Sequence, residues 1–484
     1  MTSQTWQHQK PAIDFLSQHN GAVVDAWMGT GKSFIGMSSL ARHGSGPRAF
    51  NLIVCPSAVL GVWRGQFEKH FPDQFDVLVL QSGNTDSKAE ALQKFRQRAM
   101  ASSRPAVCVV NYETVWREPL FTQICSSPFD VMVLDEIHKI KSPSQTARAS
   151  HGCWRIGKLA QRRIGLTGTL MPHSPLDVFA QYRFLDESVF GRFITRFREK
   201  YCVMDPRIQG RILKFINQDE MIRRVNMIRY HIPSSVLVLP EKQEIRVDVP
   251  LSASGMRAYK SMLRDSQVEI AKQIEQASLS GASYQEVIHT VSAMNGGIRF
   301  LRLLQLAQGY ANDENGEEVQ TDTEKRRALL DMLEQTDEPV CVYGWFKHDL
   351  KTVRDCCEIL GRSYGEVSGV RKDLTDRGTM PEVDVLGVQC KSGNSGIDLT
   401  RARIAIVLNT GTMSPGDYDQ MLARQYRPGQ TRGVVYYHLV TPGTVDEYAY
   451  TARQEKRDVV DAILRGIVPD EWAELEGRFS CLAS

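Results

Sequence analysis

Short, unbroken runs of Val, Ile and Leu alternate with helix-length stretches twice along this chain, and that rhythm narrows its fold more than any other feature. In the first half the runs are Ala22–Val24, Asn51–Cys55, Val77–Leu80, Ala106–Val110, Val131–Leu134 and Arg163–Thr167. A strand covered on both faces has no polar side to show, so it reads as a continuous apolar run. The helix-length segments between the runs supply the crossovers that a parallel sheet needs. The pattern returns at Val340–Tyr343, Val383–Val388, Ile404–Leu408 and Val434–Val440. The expected architecture is therefore α/β, with two parallel-sheet lobes, and 484 residues are too many for one compact core.

Between the lobes the composition changes. Residues 190–235 are rich in Arg and Phe and are expected to be helical, as are long stretches of 251–309, interrupted at Ser280-Gly281 and Gly296-Gly297. Asn312 to Asp322 is polar and acidic and reads as a loop near a hinge. Thr321-Asp-Thr-Glu324 has the spacing of a capping box opening a helix over Lys325–Leu333. The expected division is 1–190, 191–320 and 321–484.

Several classes drop out. No stretch reaches the ~18 apolar residues of a membrane span, and Met1 to Lys10 lacks the apolar core of a secretory signal. None of the ten cysteines forms a C-x-x-C pair, which argues against a thiolate zinc site and for reduced, buried thiols in a cytosolic protein. A net charge of +3 says little about partners. The clusters Arg162-Arg163, Arg223-Arg224, Arg326-Arg327 and Arg192/Arg196/Arg198/Lys200 each read, alone, as solvated faces.

Four constellations carry chemistry. Asp25-Ala-Trp-Met28 leads from an apolar strand into Gly29-Thr30-Gly31-Lys32-Ser33 and then an apolar-periodic helix. Glycines there let backbone N–H groups turn toward a polyphosphate, and the helix start adds its positive dipole end. Lys32 reaches terminal phosphates in such a loop, and the Ser33 hydroxyl binds magnesium. Second, Val131–Leu134 runs into Asp135 and Glu136. Acids at the carboxyl end of a strand sit where ligands bind in open α/β sheets. Asp135 would hold the magnesium through water, and Glu136 would orient and deprotonate an attacking water. Third, Leu166-Thr-Gly-Thr169 follows another strand, with hydroxyls placed to couple a nucleotide site to lobe movement. Fourth, a Gly/Ser loop from Ser392 to Thr400 precedes Gln420, Arg424, Arg427, Gly429 and Gln430. Spacings of four and three would put Gln420, Arg424 and Arg427 on one helical face, the pattern of arginines that stabilise a transferring phosphoryl group.

Together these residues resemble the Swi/Snf family of superfamily-two helicase-like ATPases over nearly the whole chain. Trp6-Gln-His-Gln9 with Leu16 is similar to the adenine-reading motif, with Gln9 as its glutamine. Val54-Cys-Pro-Ser57 through Trp63 and Phe67 resembles motif Ia, and Asn111-Tyr-Glu113 motif Ib. Asp135-Glu-Ile-His138 before Lys139-Ile-Lys141 is similar to the family's DEAH-R-I-K signature. Phe190-Gly191, the Phe193/Phe197/Tyr201 spacing and Val236-Leu-Val-Leu-Pro240 match its helical insertion, and Thr444-Val-Asp-Glu447 with Lys456 its closing helix. Ala26 and Trp27 stand where the family has acids, and Ala423 and Tyr426 where motif VI has Asp and His.

The resemblance implies two RecA-like lobes with helical insertions, ATP and Mg2+ as nucleotide and metal, and double-stranded DNA as partner. It also implies DNA-facing groups at Ser57, Asn111, Lys391, Ser392 and Thr400. The expected activity is a DNA-stimulated ATPase that translocates along duplex DNA, cytoplasmic and of bacterial or phage type, with a protein partner supplying target choice. The alternatives are a strand-separating DNA or RNA helicase of the same superfamily, against which the insertion at 172–235 argues, and a non-hydrolysing nucleic-acid scaffold.

Overall fold

The computed structural model describes residues 5–144, 146–172, 174–206, 212–264, 299–312, 317–376, 378–390 and 397–454. The chain divides into two compact units, Met1–Val238 and Leu239–Ser484, each organised on its own parallel sheet.

The strands of the first unit are β1 (Gly21–Ala26), β2 (Phe50–Cys55), β3 (Asp76–Val79), β4 (Ala106–Asn111), β5 (Phe129–Asp135), β6 (Ala160–Thr167), β7 (Cys202–Met204), β8 (Ile212–Phe215) and β9 (Arg229–Ile232). Its helices are α1 (Gln9–Gln18), α2 (Lys32–His43), α3 (Leu60–His70), α4 (Thr85–Ala101), α5 (Leu120–Cys125), α6 (Arg148–Gly157), α7 (Asp177–Leu185), α8 (Glu187–Phe190), α9 (Ile194–Tyr201) and α10 (Gln218–Asn226). Seven strands form one parallel sheet in the order β3-β4-β2-β5-β6-β1-β9. Val23, Val24, Leu52, Ile53, Val107, Val131 and Val133 are fully buried in it. Each such side chain withdrawn from water contributes about 1.5–3 kcal/mol, which is why the continuous apolar runs lie in the middle of the sheet.

The segment 190–235 departs from the all-helical expectation. Helices α9 and α10 are present, but the antiparallel hairpin β7–β8 separates them, and the segment ends as β9, an edge strand of the main sheet. An edge strand is half solvated and so tolerates Arg229 and His231, which hid it from an apolar-run reading.

In the second unit the strands are β10 (Lys242–Asp248), β11 (Tyr310–Asn312), β12 (Glu318–Gln320), β13 (Val340–Gly344), β14 (Tyr364–Val367), β15 (Val385–Gln389), β16 (Ile404–Val407) and β17 (Val434–Val440). Helical residues are 253–264 (α11), 299–307 (α12), α13 (Glu324–Glu334), α14 (Lys347–Leu360), α15 (Pro415–Leu422) and α16 (Val445–Gln454). The parallel sheet runs β10-β17-β16-β13-β15-β14. Cys341 and Tyr343 pack in one apolar layer, and their neighbours Val340 and Val342 in another. That period of two places a core on each face of the sheet.

Two local expectations are corrected here. Asn312–Asp322 is not a plain loop: its ends pair as the antiparallel β11–β12 hairpin. The capping box at Thr321 and Glu324 does not form. Thr323 stands at the N-cap position without a side-chain capping bond, and the Asp322 carboxylate accepts the Glu324 N–H at 2.9 Å while also holding the Ser252 N–H and hydroxyl. A carboxylate that can serve both an incoming turn and the helix start displaces the weaker threonine cap. The interruptions at 280–281 and 296–297 lie outside the described residues.

Candidate active site

Strand register gathers the first-unit candidates at one edge. Cys55 pairs with Asn111, Asp135 with Leu166, and Asp25 with Thr167, so the carboxyl ends of β4, β2, β5, β6 and β1 align. The loop Trp27–Gly31 leaves β1 at this edge and feeds α2, whose first residue is Lys32. Gly29 and Gly31 have φ of +80° and +83°, a region that side chains with a Cβ rarely enter. A Cβ on Gly31 would lie 2.2 Å from Gln9 Nε2. The loop is thus a bare-backbone cradle suited to a polyphosphate.

The remaining loop residues are fixed from within. Gln9 is buried, its Nε2 donating to Thr30 O at 3.1 Å and its Oε1 accepting from Trp6 N at 2.9 Å. One donor hydrogen and one lone pair of that amide remain for a base. The Thr30 hydroxyl donates to Trp27 O at 2.7 Å, so Thr30 shapes the loop by its side chain. Lys32 Nζ donates to Ala26 O at 3.0 Å. Gly168 leaves room beside it, because a Cβ there would stand 3.4 Å from Nζ. Ser33 follows Lys32 in the first turn of α2, half-buried.

Across the edge, Asp135 ends β5 and is buried. Burial first, and then the charge of Glu136, pushes its carboxyl up to about 7, while Lys32 and a hydrogen bond from the Trp63 side chain oppose the rise. A bound cation would complete that opposition, so the donor set fits magnesium. The Tyr112 hydroxyl fixes Asp135 O at 2.9 Å. Glu136 is held at φ +55° and ψ +57°, a left-handed conformation costly for a residue with a Cβ and typical of functional positions. His138 Nδ1 lies 3.0 Å from the Thr167 hydroxyl and 3.4 Å from Glu136 Oε2. The Thr167 hydroxyl donates its one proton to Thr169 O at 3.0 Å and accepts from Thr169 N at 3.1 Å. His138 Nδ1 thus lies between the Thr167 hydroxyl and the Glu136 carboxylate.

A bare-backbone loop suited to phosphate, a buried acid and a second acid in a left-handed conformation thus share one sheet edge. A model of the SNF2-related domain matches residues 8–296. The chain belongs to the SNF2-related family. Among curated relatives, zebrafish chromodomain-helicase-DNA-binding protein 1-like is 24% identical over 96% of this chain, and the DNA repair and recombination protein RAD54-like of Drosophila grimshawi is 21% identical over 94%. The chain spans 43% and 63% of those two proteins. A solved structure titled Sulfolobus solfataricus SWI2/SNF2 ATPase core in complex with dsDNA is 18% identical, with 98% of this chain and 97% of that one covered at a TM-score of 0.41.

Other residues expected from the SNF2-related pattern sit as follows. Ser57 opens an exposed 3₁₀ turn after β2, and Asn111 ends β4 with its side chain taken by the Thr114 hydroxyl. In the second unit, α15 stops at Leu422, so Arg424 and Arg427 lie in the turns beyond it. The helical-face expectation for Gln420, Arg424 and Arg427 is corrected: the spacing was right for a helix that does not continue. Arg427 Nη1 donates to Ile397 O at 3.1 Å and its Nε is 4.0 Å from Asp398 Oδ2. Arg424 O accepts Leu399 N at 3.0 Å, and Gln430 Nε2 donates to Thr400 O at 2.9 Å. The Thr400 hydroxyl donates to Asp398 Oδ1 at 2.7 Å. These bonds join 397–400 to 424–430 as one cluster. Lys391 and Ser392, with the start of that Gly/Ser loop, lie outside the described residues, as does Lys456.

Sequence reasoning missed the contacts of four residues. Trp63 was visible only as a pattern member, not as a donor to Asp135. Tyr112 offered no signal beyond its neighbour Asn111. The buried pair of Asp25 with Arg229 joins residues too distant in sequence for any spacing rule.

Proposed function

We propose that this SNF2-related chain is an ATPase stimulated by double-stranded DNA, which tracks along the duplex and remodels or displaces what is bound there. The observation that carries the reading is the meeting of the Gly29–Ser33 cradle with Asp135 and Glu136 at one sheet edge. In this reading Gly29, Gly31 and the start of α2 present N–H groups to the phosphates, Lys32 leaves Ala26 O for the terminal phosphate, and Gln9 reads the base. Ser33 and Asp135 would hold magnesium, which supplies positive charge to the phosphate oxygens. Glu136 orients and deprotonates the attacking water, and the His138–Thr167 bond keeps that carboxylate in place. Arg424 and Arg427 are the residues of the second unit to which charge stabilisation of the transferring phosphoryl group is assigned.

For DNA we assign Ser57 and Asn111 in the first unit and Lys391, Ser392 and Thr400 in the second, all suited to phosphate contacts that give affinity without base specificity. The names of the zebrafish and fly relatives, with DNA binding and DNA repair in them, support DNA as the partner. No helix among the described residues is long and apolar enough to cross a membrane, and the nine described cysteines are free thiols, which suits a reducing, cytoplasmic compartment.

Steady-state ATPase measurements with no nucleic acid, duplex DNA, single-stranded DNA and RNA test the reading. Stimulation by duplex, lost in Lys32→Ala, is expected. Stimulation by single strands alone would favour a strand-separating helicase, and DNA binding without hydrolysis would favour a scaffold.

A further inference from the structure

Asp25 is the last residue but one of β1, immediately before the phosphate loop, and its side chain is only 8% exposed. A buried carboxylate destabilises a fold unless it is paired. Its partners come from β9. Arg229 Nε donates to Asp25 Oδ2 at 2.8 Å, Arg229 Nη2 reaches the same oxygen, and His231 Nδ1 lies 3.2 Å from it. The pairing sits at the root of the cradle. The next residue, Ala26, gives its carbonyl to Lys32. The residue after, Trp27, donates its N–H to Ile232 O at 2.9 Å and accepts from the Thr30 hydroxyl. Strand β9 therefore backs the loop by backbone and by charge.

We propose that Arg229 is a positioning residue for ATP binding: by neutralising Asp25 it fixes the root of the phosphate loop and keeps an unbalanced negative charge away from a polyanionic ligand. Ala26, Trp27 and Met28 carry no charge and Lys32 Nζ is turned to Ala26 O, so the counter-charge at Asp25 comes from β9. That strand follows α10 and pairs with β1 at the edge of the first-unit sheet. Asp135 ends β5 and Glu136 follows it, on a strand separated from β1 by β6. Loss of the pair should therefore act on nucleotide affinity rather than on the chemical step. The inference rests on the ATPase reading above.

The test is KM for ATP and kcat at saturating duplex DNA, with melting temperature alongside, for Arg229→Met, Arg229→Lys, Asp25→Asn and the double variant Asp25→Asn/Arg229→Met. Arg229→Met should raise KM roughly tenfold and change kcat less than about threefold, as the loss of binding common to ground and transition states does. Removing both charges should return KM to within about threefold of the wild type, and Arg229→Lys, which keeps the charge without the fork, should fall between. An Arg229→Met protein with lowered melting temperature and unaltered KM would overturn the inference, reducing the pair to a structural tie. So would a double variant no better than the single one. If Arg229→Met does not fold, Arg229→Lys and the double variant decide: unaltered KM in Arg229→Lys, or a double variant whose KM stays more than about threefold above wild type, overturns it. A wild type without ATP hydrolysis overturns this inference and the ATPase reading together, whereas a normal wild type with unaffected variants removes this inference alone.

Discussion

Gly31→Ala is a small change with a calculable effect on the phosphate loop. At φ +83° a residue with a Cβ pays about 1–2 kcal/mol in backbone strain. The new Cβ would also stand 2.2 Å from Gln9 Nε2, so the glutamine must leave. Its bonds to Thr30 O at 3.1 Å and from Trp6 N at 2.9 Å go with it, each contributing about 0.5–1.5 kcal/mol. The sum is about 2–5 kcal/mol, confined to the loop and smaller than the ~5–15 kcal/mol that stabilises a typical domain. The first unit should therefore stay folded while the cradle loses its shape. At about 1.4 kcal/mol per factor of ten, ATP affinity should fall at least ~30-fold. Titration with a fluorescent ATP analogue measures the loss, and a melting curve checks the fold. Gln9→Ala in the Gly31→Ala background removes the clash, so the double variant should bind no worse than Gly31→Ala alone, a coupling of roughly 1 kcal/mol or more. Affinity within threefold of the wild type, or strictly additive losses, would refute this reasoning.

Further outcomes are expected at the neighbouring groups. Glu136→Gln should bind ATP normally and hydrolyse it at least ~100-fold more slowly, by single-turnover kinetics, because it removes the group that accepts the water's proton. The raised Asp135 carboxyl binds its proton to higher pH in the folded than in the unfolded chain, so its ionisation destabilises the fold as pH rises from the ordinary carboxylate range to about 7. In metal-free urea melts, Asp135→Asn should accordingly gain stability relative to wild type between pH 5 and 8, by roughly 1 kcal/mol or more, and Trp63→Phe, which removes an opposing donor, should lose it over the same interval. Arg427→Ala should lower kcat about a thousandfold with ATP affinity kept; collapse of affinity with kcat intact would make the arginine a ground-state binder.

The parallel sheets were legible because their central strands are apolar on both faces: Asn51–Cys55, Val131–Leu134 and Val340–Tyr343 all became interior strands. What escaped lies at edges. β9 reads Arg-Tyr-His-Ile, β10 alternates Lys242, Glu244, Arg246 and Asp248 with less polar residues, and β14 carries a glycine; each has one open or weakly covered side and no continuous apolar run. At the candidate site, the loop and the acids were readable because their chemistry is local in sequence. Gln420, Arg424 and Arg427 were misplaced on a helix because i, i+4 spacing says nothing about where a helix stops; the turn after Leu422 is set by contacts with 397–400. Asp25 with Arg229, and Trp63 with Asp135, were beyond sequence for a simpler reason. They are made by tertiary folding across unrelated segments, and no local pattern encodes them.

The proposed movement along duplex DNA, powered by a nucleotide at Lys32, Asp135 and Glu136, is most directly tested by displacement of a third strand from a DNA triplex. The protein should release that strand only with hydrolysable ATP, only along an uninterrupted duplex track, and not at all as Lys32→Ala, while a fluorescent forked duplex in the same buffer stays annealed. Release that proceeds without ATP or with Lys32→Ala, or efficient opening of the fork, would contradict duplex translocation by this site.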